Sequence, residues 1–214
     1  MTDRMISFIG GGKIFKIPNK IRGRVLACYN KIKFRLSGID AGMGLSVTGH
    51  LHIMRQNGAT IKVGDYFHCT SGDNTNPLTR MQRGCLVAER PDSSIKIGDH
   101  VGISSSCIWA KKSITIGNYV NIGADCILMD SDAHSLDWRL RMTCGPEDIA
   151  AAKCAPIIIE DHVFIGTRSI ILKGVTIGKR SIIAAGSVVT NNIPADCIAG
   201  GNPCKVIKVL NKDV

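Results

Sequence analysis

Aromatic residues are scarce in this 214-residue chain. Phe, Trp and Tyr together make up 5%, against 44% for all hydrophobic types. A core assembled from stacked rings is excluded, and the interior must be aliphatic. No apolar run approaches the roughly 18 residues that a membrane-spanning helix needs. Gly10-Gly-Gly-Lys13 lacks the spacing of a phosphate-binding loop, and no G-x-G-x-x-G occurs. There are nine Cys but no C-x-x-C and no Cys/His cluster of zinc spacing. The odd count, without a recognisable secretory signal, leads us to expect reduced thiols and a cytoplasmic protein. Acids are also few, 17 against 27 Lys and Arg, and the imbalance is local. Residues 1–35 hold nine basic residues and one acid, so this segment carries +8 of the formal +10. The near-neutral remainder argues against a nucleic-acid binder with a basic face throughout.

What is present is a period of six. From Ile159 the positions Ile165, Ile171, Ile177, Ile183 and Val189 are all aliphatic and β-branched. Two residues before each stand Ile157, Val163, Ser169, Val175, Ser181 and Ser187, which are small or β-branched. Upstream, Ile97 and Ile103 are six apart, as are Ile116, Ile122 and Leu128, with a one-residue slip in phase near Trp109 to Lys112. A fainter start lies at Ile61 to Asp65. Alternation at two positions puts both side chains of a short strand on one face. A turn after each strand brings the next aliphatic to the same interior. Stacked coils then form aliphatic ladders, which is the pattern of a parallel β-helix. The strands of an ordinary β-sandwich recur at 8–12 residues, so the period excludes one. The coil is expected over residues 46–214, behind a basic segment 1–45.

Two stretches break the period. Residues 130–156 interrupt it between Leu128 and Ile157, and residues 70–92 are polar and turn-rich. Loops of that length inside a compact domain are commonly functional. Within the basic segment, residues 18–34 read as an amphipathic helix opened by Pro18, with Ile21, Val25, Cys28, Tyr29 and Ile32 on one face. Such a helix has the chemistry for peripheral contact with an anionic membrane. A plain solvated helix, or one packed within a trimer, is the commoner meaning of such a pattern and is the favoured expectation.

Three stretches carry a resemblance: Met129-Asp-Ser-Asp-Ala-His134-Ser-Leu-Asp137; Pro156-Ile-Ile-Ile-Glu-Asp-His-Val-Phe-Ile-Gly166; and the series Gly174–Gly178, Ala184–Thr190 and Gly201–Lys205. With them the chain resembles the hexapeptide-repeat O-acetyltransferases. These include galactoside, maltose and xenobiotic acetyltransferases and enzymes that acetylate bacterial surface polysaccharides. The resemblance implies an all-β, left-handed parallel β-helix with a short N-terminal helix and a long loop interrupting the coils. It also implies a homotrimer that binds acetyl-coenzyme A between subunits and requires no metal. The sequence departs from the family in having Phe164 where Trp is usual and Cys204 where Ala is usual. No Asn stands near Gly102–Ser105, where sugar acetyltransferases contact their substrate.

His134 is the expected general base. An alcohol is a poor nucleophile at neutral pH, and an imidazole can take its proton and later protonate a leaving thiolate. A base of this kind is held by a third group. Asp130, Asp132 and Asp137 flank it; Asp132 is taken as the orienting carboxylate, although either of the others or a backbone carbonyl fits the spacing. The resemblance assigns coenzyme A binding to Phe164, Thr167, Ala185, Thr190, Lys205 and Lys208, with Lys179 and Arg180 as further cations for its phosphates. Ser104, Trp138 and Arg139 are candidates for the acceptor. The function implied is acetyl transfer from acetyl-coenzyme A to a hydroxyl of a sugar or surface-glycan precursor. An N-acetyltransferase of a nucleotide amino-sugar and an antibiotic acetyltransferase share the donor features. A zinc lyase of the carbonic-anhydrase type needs three convergent His, whereas only His50 and His52 lie close in sequence.

Overall fold

The structure, a computed structural model, describes residues 6–10, 13–17, 19–72, 76–79 and 82–210, with side chains from Arg24 onward. The period of six becomes three parallel sheets wrapped around one axis as a left-handed β-helix. The chain visits the three faces in turn. The first holds Asp40–Ala41, Thr60–Val63, Ser94–Ile97, Ser113–Ile116, Ile157–Ile159 and Thr176–Ile177. The second runs from Ser46–Gly49 through His68–Ser71, Gly102–Ser104, Asn121–Ile122, Phe164–Ile165 and Ile182–Ile183 to Cys197–Gly200. The third runs from His52–Arg55 through Cys85–Ala88, Cys107–Ala110, Ile127–Met129 and Ile170–Leu172 to Val188–Val189.

The ladders expected from sequence are the core. Ile122, Ile165 and Ile183 stack in register, as do Leu128, Ile171 and Val189. All are buried, and each such side chain contributes about 1.5–3 kcal/mol by leaving water. Ser169, Ser181 and Ser187 are buried at the corners, where each hydroxyl donates to a backbone carbonyl. Gly166 is needed for close approach: a Cβ there would stand 2.5 Å from the backbone nitrogen of Ala185 in the next coil. The slip in phase lies between Ile108 and Ile116, eight residues apart. The added turn at Lys111 and Lys112 is fixed by the buried Asp130, whose two carboxylate oxygens accept their N–H groups at 2.7 Å each.

At the corner between the first and second faces, Tyr66, His100, Tyr119 and His162 all have φ between 56° and 60°. Their rings stack at centroid spacings of 4.8–5.0 Å. Two of the three Tyr thus lie on an outer ridge with two His, while Phe34 and Phe67 are buried in the otherwise aliphatic core.

Three expectations shift. The coil already begins at Asp40–Ala41, which pairs with Lys62–Val63, so the boundary at residue 45 lies too late. The stretch 70–92 is not one loop: Cys85–Ala88 is a regular strand of the third face, and the excursion covers residues 72–84. Positions 73–75 and 80–81 lie outside the described residues. The helix, α1, spans Asn19–Leu36; Pro18 and the side chain of Ile21 lie outside the described residues. An antiparallel pair, Ile6–Gly10 with Lys13–Ile17, precedes it, and the sequence pattern did not indicate this hairpin.

Helix α1 closes the N-terminal end of the β-helix through a face that the sequence did not single out. Phe34 is buried, and the Asn30 amide donates to Val47 O at 3.1 Å and Gly49 O at 2.8 Å. Lys33 Nζ donates to Leu51 O at 2.7 Å. The apolar face with Val25, Tyr29 and Ile32 is exposed.

Candidate active site

The loop expected to carry the chemistry leaves the third face after Met129 and rejoins the first at Ile157. Its base is stitched shut. Ala155 N donates to Asp130 O, and Ser131 bridges to Cys154. Within it lie two short helices, α2 (Trp138–Arg141) and α3 (Pro146–Ala151). Ala133 adopts φ 61°, a left-handed turn whose N–H is held by Ser131 Oγ, and this turn presents His134 at the surface.

The side chain of His134 is 57% exposed, yet its Nδ1 is bound to a carboxylate that is fully buried. That carboxylate is Asp148, not Asp132. His134 Nδ1–H donates to Asp148 Oδ2 at 2.6 Å, and Ser135 N–H donates to Oδ1 at 2.7 Å. The hydrogen bond from His134 holds the Asp148 carboxyl below the usual carboxylate range, with the Ser135 N–H adding to it against burial. With Nδ1 as donor, the ring's lone pair is on Nε2. Asp148 lies 14 residues from His134, in the first turn of α3. Pro146 followed by two acids is a helix-start signal, and it was the available clue.

The flanking aspartates serve the loop's own structure. Asp130 clamps the Lys111 turn as described, and burial raises its pKa against those backbone donors. Asp132 pairs with Lys173 Nζ at 2.5 Å. Asp137 caps α2 and binds the Arg139 guanidinium, which holds its carboxyl below the ordinary range. A buried Lys111 lies beneath the turn. Its Nζ is 3.4 Å from Glu89, 3.5 Å from Ala133 O and 5.2 Å from the Trp109 ring centroid, while Trp109 Nε1 also donates to Glu89. No short-range pattern around Lys111 signals this support.

The other predicted residues fall in a second location. Phe164 is exposed on the second face, in register with Asn121 and Gly102. With Ser104, His68 and Thr70 these residues line a depression of about 380 Å³. Asn121 thus stands beside the strand where the sequence lacks an Asn. Thr167 and Ala185 occupy successive coils at the corner between the second and third faces, where Gly186 N–H donates to Thr167 O. Lys205 and Lys208 are exposed on the closing strand Lys205–Val209, antiparallel to Cys197–Gly200 on the second face. Thr190 lies at the opposite edge of the third face, the edge from which the His134 loop leaves. Trp138 is exposed in α2, and Arg139 is bound to Asp137. Within one chain, then, the third face separates His134 and Asp148 from most of the residues that the resemblance assigns to the donor.

Comparison with known proteins agrees with this architecture. A family model described as the hexapeptide repeat of succinyl-transferase matches residues 156–191. The 2,3,4,5-tetrahydropyridine-2,6-dicarboxylate N-acetyltransferase of Staphylococcus aureus (strain Newman) is 47% identical over 64 residues, 30% of this chain. That stretch spans only 27% of the relative's length. Among solved structures, an N-acyltransferase from Bacillus cereus in complex with dTDP and 3-hydroxybutyryl-CoA superposes with a TM-score of 0.62 at 18% identity, over 85% of this chain and 89% of that one. A maltose O-acetyltransferase from Clostridium difficile 630 does so with a TM-score of 0.52 at 23% identity, over 90% and 84%. Residues 156–191 carry the hexapeptide repeat, and the chain as a whole shares the left-handed β-helix fold of these solved acyltransferase structures.

Proposed function

We propose that this protein transfers an acetyl group from acetyl-coenzyme A to a hydroxyl of a sugar or surface-glycan precursor. The observation that carries the reading is the exposed His134 imidazole bound through Nδ1 to the buried Asp148 at 2.6 Å. Such a pair is a base and its orienter. His134 Nε2 accepts the acceptor's hydroxyl proton as the oxygen attacks the thioester carbonyl. The C–S bond then breaks, and the imidazolium returns the proton to the departing thiolate. A backbone N–H facing the carbonyl oxygen stabilises the charge that develops there. Asp148 stabilises the imidazolium that forms in between.

Phe164, Thr167, Ala185 and Thr190 would flank the donor's pantetheine arm, and Lys205 and Lys208 its phosphates. The separation of these residues from His134 supports a site shared between copies in a homotrimer. The outward side of the third face supports the same reading, because it carries Met54, Cys107, Ile127 and Ile170, an apolar surface suited to a neighbouring copy. Packing there would bring the His134 edge of one subunit toward the second face of the next.

Purified protein supplied with acetyl-coenzyme A and a panel of mono- and disaccharides, nucleotide sugars and antibiotic alcohols, read by free-thiol release, tests the proposal. Turnover with a hydroxyl acceptor that falls with His134→Ala is the expected result. An amine acceptor is the second reading, favoured by the N-acetyltransferase similarity over 64 residues. Amino-sugar nucleotides in the same panel decide between them.

A further inference from the structure

We propose that helix α1 docks this protein onto an anionic lipid bilayer, lying in the plane of the surface. This inference stands apart from the acyl-transfer reading and starts from an oddity of packing. Val25, Tyr29, Ile32 and Leu36 recur at helical spacing and form one stripe about 16 Å long, yet they are 62%, 46%, 53% and 83% exposed. The helix cannot roll to bury them. Asn30 and Phe34 on the opposite face are buried against the first coil, and three side-chain hydrogen bonds from Asn30 and Lys33 fix the helix there. Met43, 64% exposed in the first coil, adds to the apolar surface.

Charge identifies the partner. Residues 19–36 contain six Lys or Arg and no acid. Arg24, Lys31 and Arg35 follow one flank of the stripe at helical spacing and are exposed, while the Lys33 ammonium on the other flank is taken up by Leu51 O. A second copy of this helix laid on the stripe would bring two strongly basic surfaces together, so self-association is electrostatically opposed. An anionic membrane satisfies both components, with the apolar stripe entering the headgroup boundary and the flanking cations meeting phosphate. The flank with Lys31 and Arg35 borders a hollow of about 400 Å³, also lined by Ile32, Met43 and Leu45, which has the composition to receive a phosphate headgroup. No helix among the described residues is long and apolar enough to cross a membrane, consistent with binding at the surface.

The test is co-sedimentation of the full chain with phosphatidylcholine vesicles, with and without phosphatidylglycerol, at low and high salt. Binding to the phosphatidylglycerol vesicles, weakened by salt, is expected. Leu36→Glu or Ile32→Glu should lower the bound fraction by about tenfold with an unchanged melting curve, because both positions are exposed. Lys31→Gln with Arg35→Gln provides an independent pair if either acidic variant fails to fold, and should weaken binding in the same direction. Absence of sedimentation at low salt, equal binding of Leu36→Glu and wild type, or binding indifferent to phosphatidylglycerol would each overturn the proposal. So would light scattering in which Leu36→Glu dissociates an assembly without changing vesicle binding, since the stripe would then be an interface between copies.

Discussion

The coils from Ile157 to Gly200 and the loop from Asp130 to Pro156 are adjacent in sequence but follow different rules. In the coils every sixth residue from Ile159 to Val189 is an interior aliphatic, and identity matters chiefly through volume. In the loop no such period exists, and single side chains hold specific partners: Asp148 on His134 and Ser135, Asp130 on Lys111 and Lys112, Asp132 on Lys173. With His134 as the proposed base, stability rests on the coil residues and chemistry on those of the loop. Substitutions should therefore separate the two properties.

The largest separation is expected at His134. His134→Ala should lower turnover by about 10²–10⁴-fold, the range for a lost general base, with a smaller loss of stability of about 1–3 kcal/mol, because the buried Asp148 carboxylate loses its strongest donor. Near-normal turnover would remove His134 from the mechanism. Ile165→Ala should do the reverse, costing about 2–5 kcal/mol in denaturant unfolding while leaving the His134–Asp148 pair intact. Gly166→Ala tests the same region by overpacking, since its Cβ meets backbone that has no room to move; about 1–3 kcal/mol of destabilisation is expected.

Asp148→Asn bears on the same contrast, because Asp148 is buried like a core residue while its proposed role is to orient His134. Loss of a charge-assisted hydrogen bond predicts a fall in turnover of roughly ten- to hundredfold, whereas Asp132→Asn should leave the acid–base profile of turnover unchanged. The pH dependence has a definite sign. Asp148 has its carboxyl depressed in the folded state, so its contribution to stability is present above the ordinary carboxylate range. It is lost as pH falls through the depressed folded value. Acid unfolding of Asp148→Asn should lack that component. The smallest effect concerns thiols. Cys28 and Cys144 are exposed and should react first with a maleimide. Buried Cys69, whose pKa burial pushes up to about 12, should label only on unfolding, as should Cys126 and Cys204, which burial also raises.

Much of the fold was legible because a β-helix is written locally. Ile159 through Val189 each meet the residue one coil away, so a fixed period in sequence becomes a fixed register in space. The position of His134 was legible for a related reason, since it lies where the period stops. Its carboxylate was not. Asp130, Asp132 and Asp137 were nearer in sequence, but their geometry is taken up by a turn, an ion pair and a helix cap. Asp148 reaches the imidazole only because α3 folds back across the loop, and no short-range pattern encodes that return. The same limit applied to α1, where the apolar stripe was readable from sequence but its direction was not.

Residue order alone was enough to specify the repeating interior, the site of its interruption and the concentration of positive charge in the first 35 residues. All three depend on residue order and spacing alone. Which carboxylate holds His134, the support of its turn by Lys111 and the outward direction of the apolar face of α1 emerged only from the folded chain. Those outcomes depend on which groups meet after distant segments have packed, and on the buried Phe34 and Asn30 occupying the side of the helix where the stripe would otherwise have been buried.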